Sequence, residues 1–258
     1  MCELLGISAR RPLKANEILK RFFSHANEHP HGWGLALMPD GGPPAVEREA
    51  TSAIASDSLR RRLEEPIEAA NLVAHIRRAT IGELSDVNTH PFTAVDNSGR
   101  TWLLAHNGTI FSGAKLNLYM GLQYGDTDSE RILLYLVDRI DRDQLRLKRP
   151  LDAAERFAVV EDVVTELSYG NKLNLLVHDG EFLYVHVNYR DSLHYRRTDD
   201  AVVVSTRPLD GEEWTPVPFT RVLSLKDGEF VREGVPHDRE YIFDSEDYRL
   251  VYMNFARL

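Results

Sequence analysis

Two helix-period segments stand in the middle of the chain, and the apolar runs on either side of them are mostly of strand length. GDTDSE at 125–130 opens the first segment, where Thr127 and Glu130 fit a capping box. Leu133, Leu136, Val137 and Ile140 then recur at helical spacing, so this helix has a face to bury. A second helix is predicted at about 152–168, after the charged stretch DRDQLRLKRP. Upstream, 2–8, 45–50, 71–76, 101–106 and the run LALMP read as strands. Helices are predicted at 16–26, capped by Asn16, and at 56–65. Downstream, LNLLVHD and FLYVHVN flank Asp179-Gly180-Glu181, a hairpin signal, and AVVVST, RVLSLKDG and EFVRE continue the β region. Strands, two central helices and strands again suit two β-sheets packed face to face with helices outside. No Pro/Gly/Ser-rich linker divides the 258 residues, so 1–258 reads as one domain.

Forty acidic residues against 31 basic ones give a formal charge of −9. That balance argues against nucleic acid or an anionic membrane surface as a partner. No stretch approaches the ~20 apolar residues of a membrane span. The N-terminus MCELLGISARRPLK has no apolar run of signal-peptide length. Cys2 is the one cysteine, so no internal disulfide can form, which fits a reducing cytoplasm.

Cys2 directly follows the initiator methionine. A small residue at position 2 permits removal of Met1, which would leave a thiol and a free α-amino group on one residue. A thiol needs a base to become an efficient nucleophile. An α-amino group, with a pKa of about 7.7–8.0, can accept a proton near neutrality. The alternative for a lone cysteine is a small buried hydrophobe.

Further along, His31-Gly32-Trp33-Gly34 makes a turn where the backbone can approach a ligand closely, and Trp33 there either faces a ligand or packs in the core. His25, His29 and His31 lie close in sequence, but without a Cys partner or an HExxH pattern no metal is expected. Arg77 ends the apolar run at 71–76, placed either to bind a carboxylate through two parallel hydrogen bonds or to pair with a local Glu. In the NTHPF loop at 88–92, Pro91 pushes His90 to an extended conformation. Asn107-Gly108 follows a strand and is either a hairpin turn or a pair of oxyanion donors, such a donor being worth ~3 kcal/mol in a transition state. Asp128 lies in a first helical turn, where the dipole favours its ionised form; it either holds an ammonium group or merely helps start the helix. Ser205-Thr206-Arg207 reads as a turn whose polar groups could reach a ligand. The aromatic, acidic stretch YIFDSEDYRLVYMNF near the C-terminus receives no function.

Taken in order, Cys2, HGWG at 31–34, HIRRAT at 75–80, NTHPF at 88–92, AHNGT at 105–109 and GDTDSE at 125–130 resemble the class II glutamine amidotransferases. The opening MCELLGIS and the HGWG, HIR and NTHPF set are most like the stand-alone, YafJ-like branch. The resemblance implies an α+β fold, a four-layer αββα sandwich of two mainly antiparallel sheets, as in N-terminal nucleophile hydrolases. It implies that Cys2 attacks the side-chain amide of glutamine, that ammonia leaves, and that water resolves a γ-glutamyl thioester. On the same basis Asn107 and Gly108 form the oxyanion hole, Arg77 binds the substrate α-carboxylate and Asp128 its α-ammonium, while Thr80 and His90 line the glutamine pocket; Trp33 of HGWG is expected to contact the substrate as well. No cofactor or metal is implied. Where better-known synthetases of the class carry Trp after the arginine and His-Gly after the threonine, this chain has Arg78 and Ile81-Gly82.

Nothing remains after the glutaminase-type region to act as an acceptor domain. A separate synthetase subunit would have to receive the ammonia, or the chain would simply hydrolyse its substrate. A larger γ-glutamyl compound is an alternative substrate, since an Arg77/Asp128 clamp reads only the amino-acid end. A non-catalytic glutamine-sensing module is the alternative from another class, and it would follow if Met1 were retained.

Overall fold

The computed structural model describes residues 2–39 and 42–246. Met1, Asp40-Gly41 and residues 247–258 of the aromatic, acidic stretch lie outside them. Along the chain run β1 (Glu3–Lys14), α1 (Asn16–Ser24), β2 (Trp33–Met38), β3 (Ala45–Glu49), α2 (Asp57–Glu64), β4 (Glu68–Ile76), β5 (Phe92–Val95) and β6 (Thr101–Thr109). The two central helices follow, α3 (Asp128–Leu147) and α4 (Ala153–Leu167). The rest is strand: β7 (Lys172–His178), β8 (Leu183–His186), β9 (His194–Arg197), β10 (Ala201–Ser205), β11 (Thr215–Pro216), β12 (Val222–Lys226) and β13 (Glu229–Glu233).

The strands form a seven-stranded sheet, β11-β9-β10-β1-β4-β2-β3, and a six-stranded sheet, β13-β12-β8-β7-β6-β5. The paired neighbours run antiparallel. Strand alternation sends successive residues to opposite faces. In β1, Leu5 and Ile7 face α1 and α2, packing with Leu19, Phe22 and Leu59. Leu4 faces the other way, into the layer between the sheets, with Ala36, Val73, Leu103, Ala105 and Leu176. On the far side, Trp102, Leu104, Leu175 and Val177 pack under α3 and α4, against Leu133, Leu136, Val160 and Val164. This is the four-layer αββα, α+β arrangement. The last five residues of β4 are all buried because both of its faces are covered, which is what its near-continuous apolar run requires. No described helix is long and apolar enough to cross a membrane.

Several local expectations give way to tertiary contacts. The residue at the N-cap of α1 is Ala15, and no side chain caps it. Asn16 instead donates to the carbonyls of Leu63 (3.0 Å) and Glu65 (2.7 Å) and accepts from the Ile67 N–H, tying α1 to the end of α2. Half of the expected capping box forms on α3: Thr127 accepts from the Glu130 N–H, but the Glu130 carboxylate accepts from Tyr124 and Gly125 rather than from Thr127. Asn107-Gly108 is not a turn. Both residues lie inside β6, opposite Asn174 and Leu173 of β7.

Candidate active site

Cys2 immediately precedes β1 and shares the inter-sheet side with Leu4, two residues on. Its neighbour Glu3 points the other way and is buried. The Glu3 carboxylate meets His25 Nδ1 at 2.8 Å and His29 Nε2 at 3.1 Å, and it accepts from Arg207 Nε at 2.5 Å. Burial pushes this carboxyl up, but the hydrogen bonds from His25, His29 and Arg207 outweigh burial and hold it well below the usual carboxylate range. The Leu4 N–H donates to Thr206 Oγ1 at 2.8 Å. The segment 205–207 and two of the clustered histidines therefore anchor the strand that carries Cys2. His31 is turned elsewhere, its Nδ1 accepting from the Ala79 N–H at 2.9 Å. Among the described residues, no three His, Cys, Asp or Glu side chains converge as a metal site.

The Cys2 thiol lies against the backbone of Arg78, with Sγ 3.5 Å from its carbonyl oxygen and 3.3 Å from its N–H. Burial raises the thiol pKa, while the Arg78 N–H and the charges of Arg77 and Lys172 work against that rise. Cys2, Arg77, Thr80, His90, Gly108 and Asp128 line one cleft, together with Arg78, His106, Thr127 and Ser129.

Arg77 is 2 % exposed. It donates to the carbonyls of Glu83 (2.9 Å), Ile81 (3.2 Å) and Gly82 (3.3 Å), which pins the following loop over the cleft. The acceptor at residue 83 is thus the backbone, not the Glu side chain. Asp126 holds the same loop from outside, accepting from Asn88 Nδ2 and the Glu83 N–H. At the start of α3, Asp128 accepts from the Ile110 N–H at 2.8 Å and from the Ser129 hydroxyl at 3.2 Å. Each carboxylate oxygen keeps further acceptor capacity. Thr80 Oγ1 is 3.4 Å from Thr109 Oγ1.

His90 is buried, its ring 4.2 Å from that of His75 and 4.6 Å from that of Phe92. Burial drives it well below the ordinary histidine value, so it is a neutral wall of the cleft. Trp33 does not line the cleft. It begins β2 with its ring turned to the helix side, edge-on to Phe23 at 6.0 Å, and its indole N–H reaches Glu49 at 3.3 Å. Strand alternation sends it away from the inter-sheet face, so the core-packing option is the one realised.

Asn107 shares the inter-sheet face with Leu103 and Ala105, the face towards which Cys2 projects. Lys172 Nζ lies 3.4 Å from Asn107 Oδ1 and 4.9 Å from the centroid of the Tyr189 ring. Burial lowers the Lys172 ammonium to about 8, partly opposed by the nearby Cys2. Gly108 stands opposite Leu173, whose N–H donates to Asn188 Oδ1 at 2.8 Å and whose carbonyl meets His186 Nδ1. In an antiparallel pair the two residues either exchange hydrogen bonds or both turn outward. Since Leu173 turns outward, the Gly108 N–H points off the other edge of β6, beyond Leu104, where pairing with β5 ends. A Cβ at 108 would fall 1.9 Å from the Lys172 carbonyl oxygen, so glycine is required there.

Sequence reasoning missed Lys172, Asn88 and Asp126. A lysine directly before the apolar run LNLLVH was a visible signal, because a cation at the start of a strand buried on both faces needs a reason.

The model of "Glutamine amidotransferases class-II" matches residues 1–198. Escherichia coli YafJ, named as a proposed glutamine amidotransferase, is 28% identical over 242 residues, which cover 83% of this chain and 92% of that protein. A Haemophilus influenzae protein named in the same way is 27% identical over 273 residues, covering 95% and 90%. A crystal structure of a predicted glutamine amidotransferase from Pseudomonas aeruginosa superposes with a TM-score of 0.63 at 24% identity, covering 90% of this chain and all of the other. The allosteric regulatory enzyme of purine biosynthesis superposes with a TM-score of 0.70 at 16% identity, over 93% of this chain and 50% of that one. These likenesses agree with the layering, and the chain belongs to the class II glutamine amidotransferases.

Proposed function

We propose that the chain is a glutamine amidohydrolase whose nucleophile is Cys2. The observation that carries this reading is that a thiol, a guanidinium, a carboxylate and an outward-pointing edge N–H all border one cleft. Removal of Met1 frees the α-amino group of Cys2, which takes the thiol proton. The thiolate attacks the amide carbon, and the oxyanion meets the Gly108 N–H and the Asn107 side-chain amide. The amine returns the proton to the leaving ammonia, and water then hydrolyses the γ-glutamyl thioester. Arg77 receives the substrate α-carboxylate and Asp128 its α-ammonium, with Thr80 and His90 as walls. Hole donors of this kind contribute roughly 3 kcal/mol each.

The ammonia goes to a separate acceptor protein or to water. Cys2 is the single cysteine, so no internal disulfide can form, and the cytoplasm is the proposed location.

The test is intact mass before and after treatment with 6-diazo-5-oxo-norleucine, a glutamine-shaped electrophile. The expected result is a mass lacking Met1 plus one adduct on Cys2. Retained Met1 with no adduct overturns the reading in favour of a sensing module. Turnover of a larger γ-glutamyl amide without turnover of glutamine replaces the substrate and keeps the chemistry.

A further inference from the structure

Lys172 is a buried group beside Asn107 that the reaction above leaves without a task. Its side chain is fully buried between the two sheets, in line with Asn174 and Leu176 along β7. Burying an ammonium costs desolvation free energy that a leucine or methionine would not. Its neighbours include Asn107 Oδ1 at 3.4 Å and the Tyr189 ring, whose centroid is 4.9 Å away, and the charge of Cys2 acts on it.

A lysine ammonium has three donors and no acceptor. The Asn107 atom that faces it must therefore be the carbonyl oxygen. The Asn107 NH₂ is then turned away from Lys172. Among the described residues no other group is hydrogen-bonded to the Asn107 side chain, so the ammonium is what chooses between the two orientations of the amide. The same charge favours a thiolate over a thiol at Cys2, since an opposite charge nearby stabilises the ionised form.

We propose that Lys172 is a positioning residue of this site: its ammonium fixes which way the Asn107 amide points and supplies positive charge on the inter-sheet side to which Cys2 projects. The proposal rests on Cys2 being the nucleophile. It separates the side chain of Lys172 from its backbone, whose carbonyl accepts from His106 Nε2 at 3.1 Å and abuts Gly108 whatever the residue at 172.

The test compares wild type with Lys172→Met, which keeps the length and removes the charge, and with Lys172→Arg, which keeps the charge. The first readout needs no glutamine. Cys2 is the single cysteine, so the pH dependence of its alkylation by iodoacetamide reports one thiol. Arg77 and Asp128 are the same in all three proteins. Lys172→Met is expected to raise the apparent thiol pKa by about one unit and to slow alkylation about tenfold at pH 7. Lys172→Arg is expected to restore most of both.

The second readout is glutamine hydrolysis. Lys172→Met should lower kcat by roughly 10²–10³-fold, with KM changed less than about threefold, because the oxyanion exists only beyond the ground state. Its melting temperature should equal or exceed that of wild type. An unchanged thiol pKa, or a loss confined to KM or to stability, overturns the proposal. If Lys172→Met fails to fold, Lys172→Gln carries the same expectations. If wild type hydrolyses no glutamine, the proposed function fails, and the alkylation profile still decides the role of Lys172.

Discussion

Gly34 lies directly against the carbonyl oxygen of His90: a Cβ on residue 34 would fall 1.8 Å from it. Gly34 sits in β2 opposite His75, whose ring packs on that of His90. The glycine thus lets the 88–92 loop close onto the first sheet beside the cleft. The sequence suggested a glycine where a ligand's approach is tight, and the group that approaches is the chain's own backbone. Gly34→Ala should cost about 3 kcal/mol or more, as overpacking against a backbone atom does. For a chain of this size that is a fall of roughly 6–12 °C in Tm. Calorimetry checks it, and a fall under 2 °C would mean that the loop yields freely.

Cys2→Ala should reduce turnover by about 10⁴-fold or more, the scale seen when a nucleophile is removed. Sulfur is a weak donor and acceptor, so losing the thiol's hydrogen bonds to Arg78, at 3.5 and 3.3 Å, should cost the fold little. Steady-state kinetics with circular dichroism separates the two effects. Substantial residual hydrolysis by a folded variant would dismiss Cys2 as the nucleophile.

The layering was legible because β4 reads as an apolar run and α3 as an amphipathic stripe, and both patterns are periodic. The cleft was legible because its residues fall in short motifs. What sequence could not show was direction. Trp33 and His31 share one motif, yet Trp33 turns into the helix-side core while His31 accepts from the Ala79 N–H. Asn107-Gly108 looks like a turn from its neighbours, and it is a strand because β7 pairs with it from 65 residues further on. Asn16 looks like a cap and serves the end of α2 instead. In each case a long-range partner outweighed a local propensity.

Arg77→Lys keeps the positive charge and loses the fork that spans three carbonyls of the loop at 81–83. Two consequences should appear together. Orphaned buried carbonyls should lower stability by roughly 1–3 kcal/mol. If Arg77 receives the substrate α-carboxylate as proposed, KM for glutamine should also rise at least about tenfold, with a smaller change in kcat. Kinetics alongside thermal unfolding checks both. A stability loss with KM unchanged would make Arg77 a loop anchor alone.

Glu3→Gln tests the anchor beneath Cys2. In the folded chain the Glu3 carboxyl lies below its ordinary value because His25, His29 and Arg207 donate to its ionised form more strongly than burial opposes it. A group depressed in this way contributes stability above its unfolded pKa, about 4.3, and loses it as pH falls through the folded value. At pH 7 Glu3→Gln should therefore be less stable than wild type, by roughly 2 kcal/mol, since Arg207 and the two histidines lose a charged acceptor. The gap should narrow below about pH 5, as the carboxyl binds its proton in the unfolded chain before it does in the folded one. Melting temperatures of both proteins from pH 7 to pH 3 would trace it. A gap that stays constant to pH 3, or widens, would show that the Glu3 charge is not what holds β1 against Arg207.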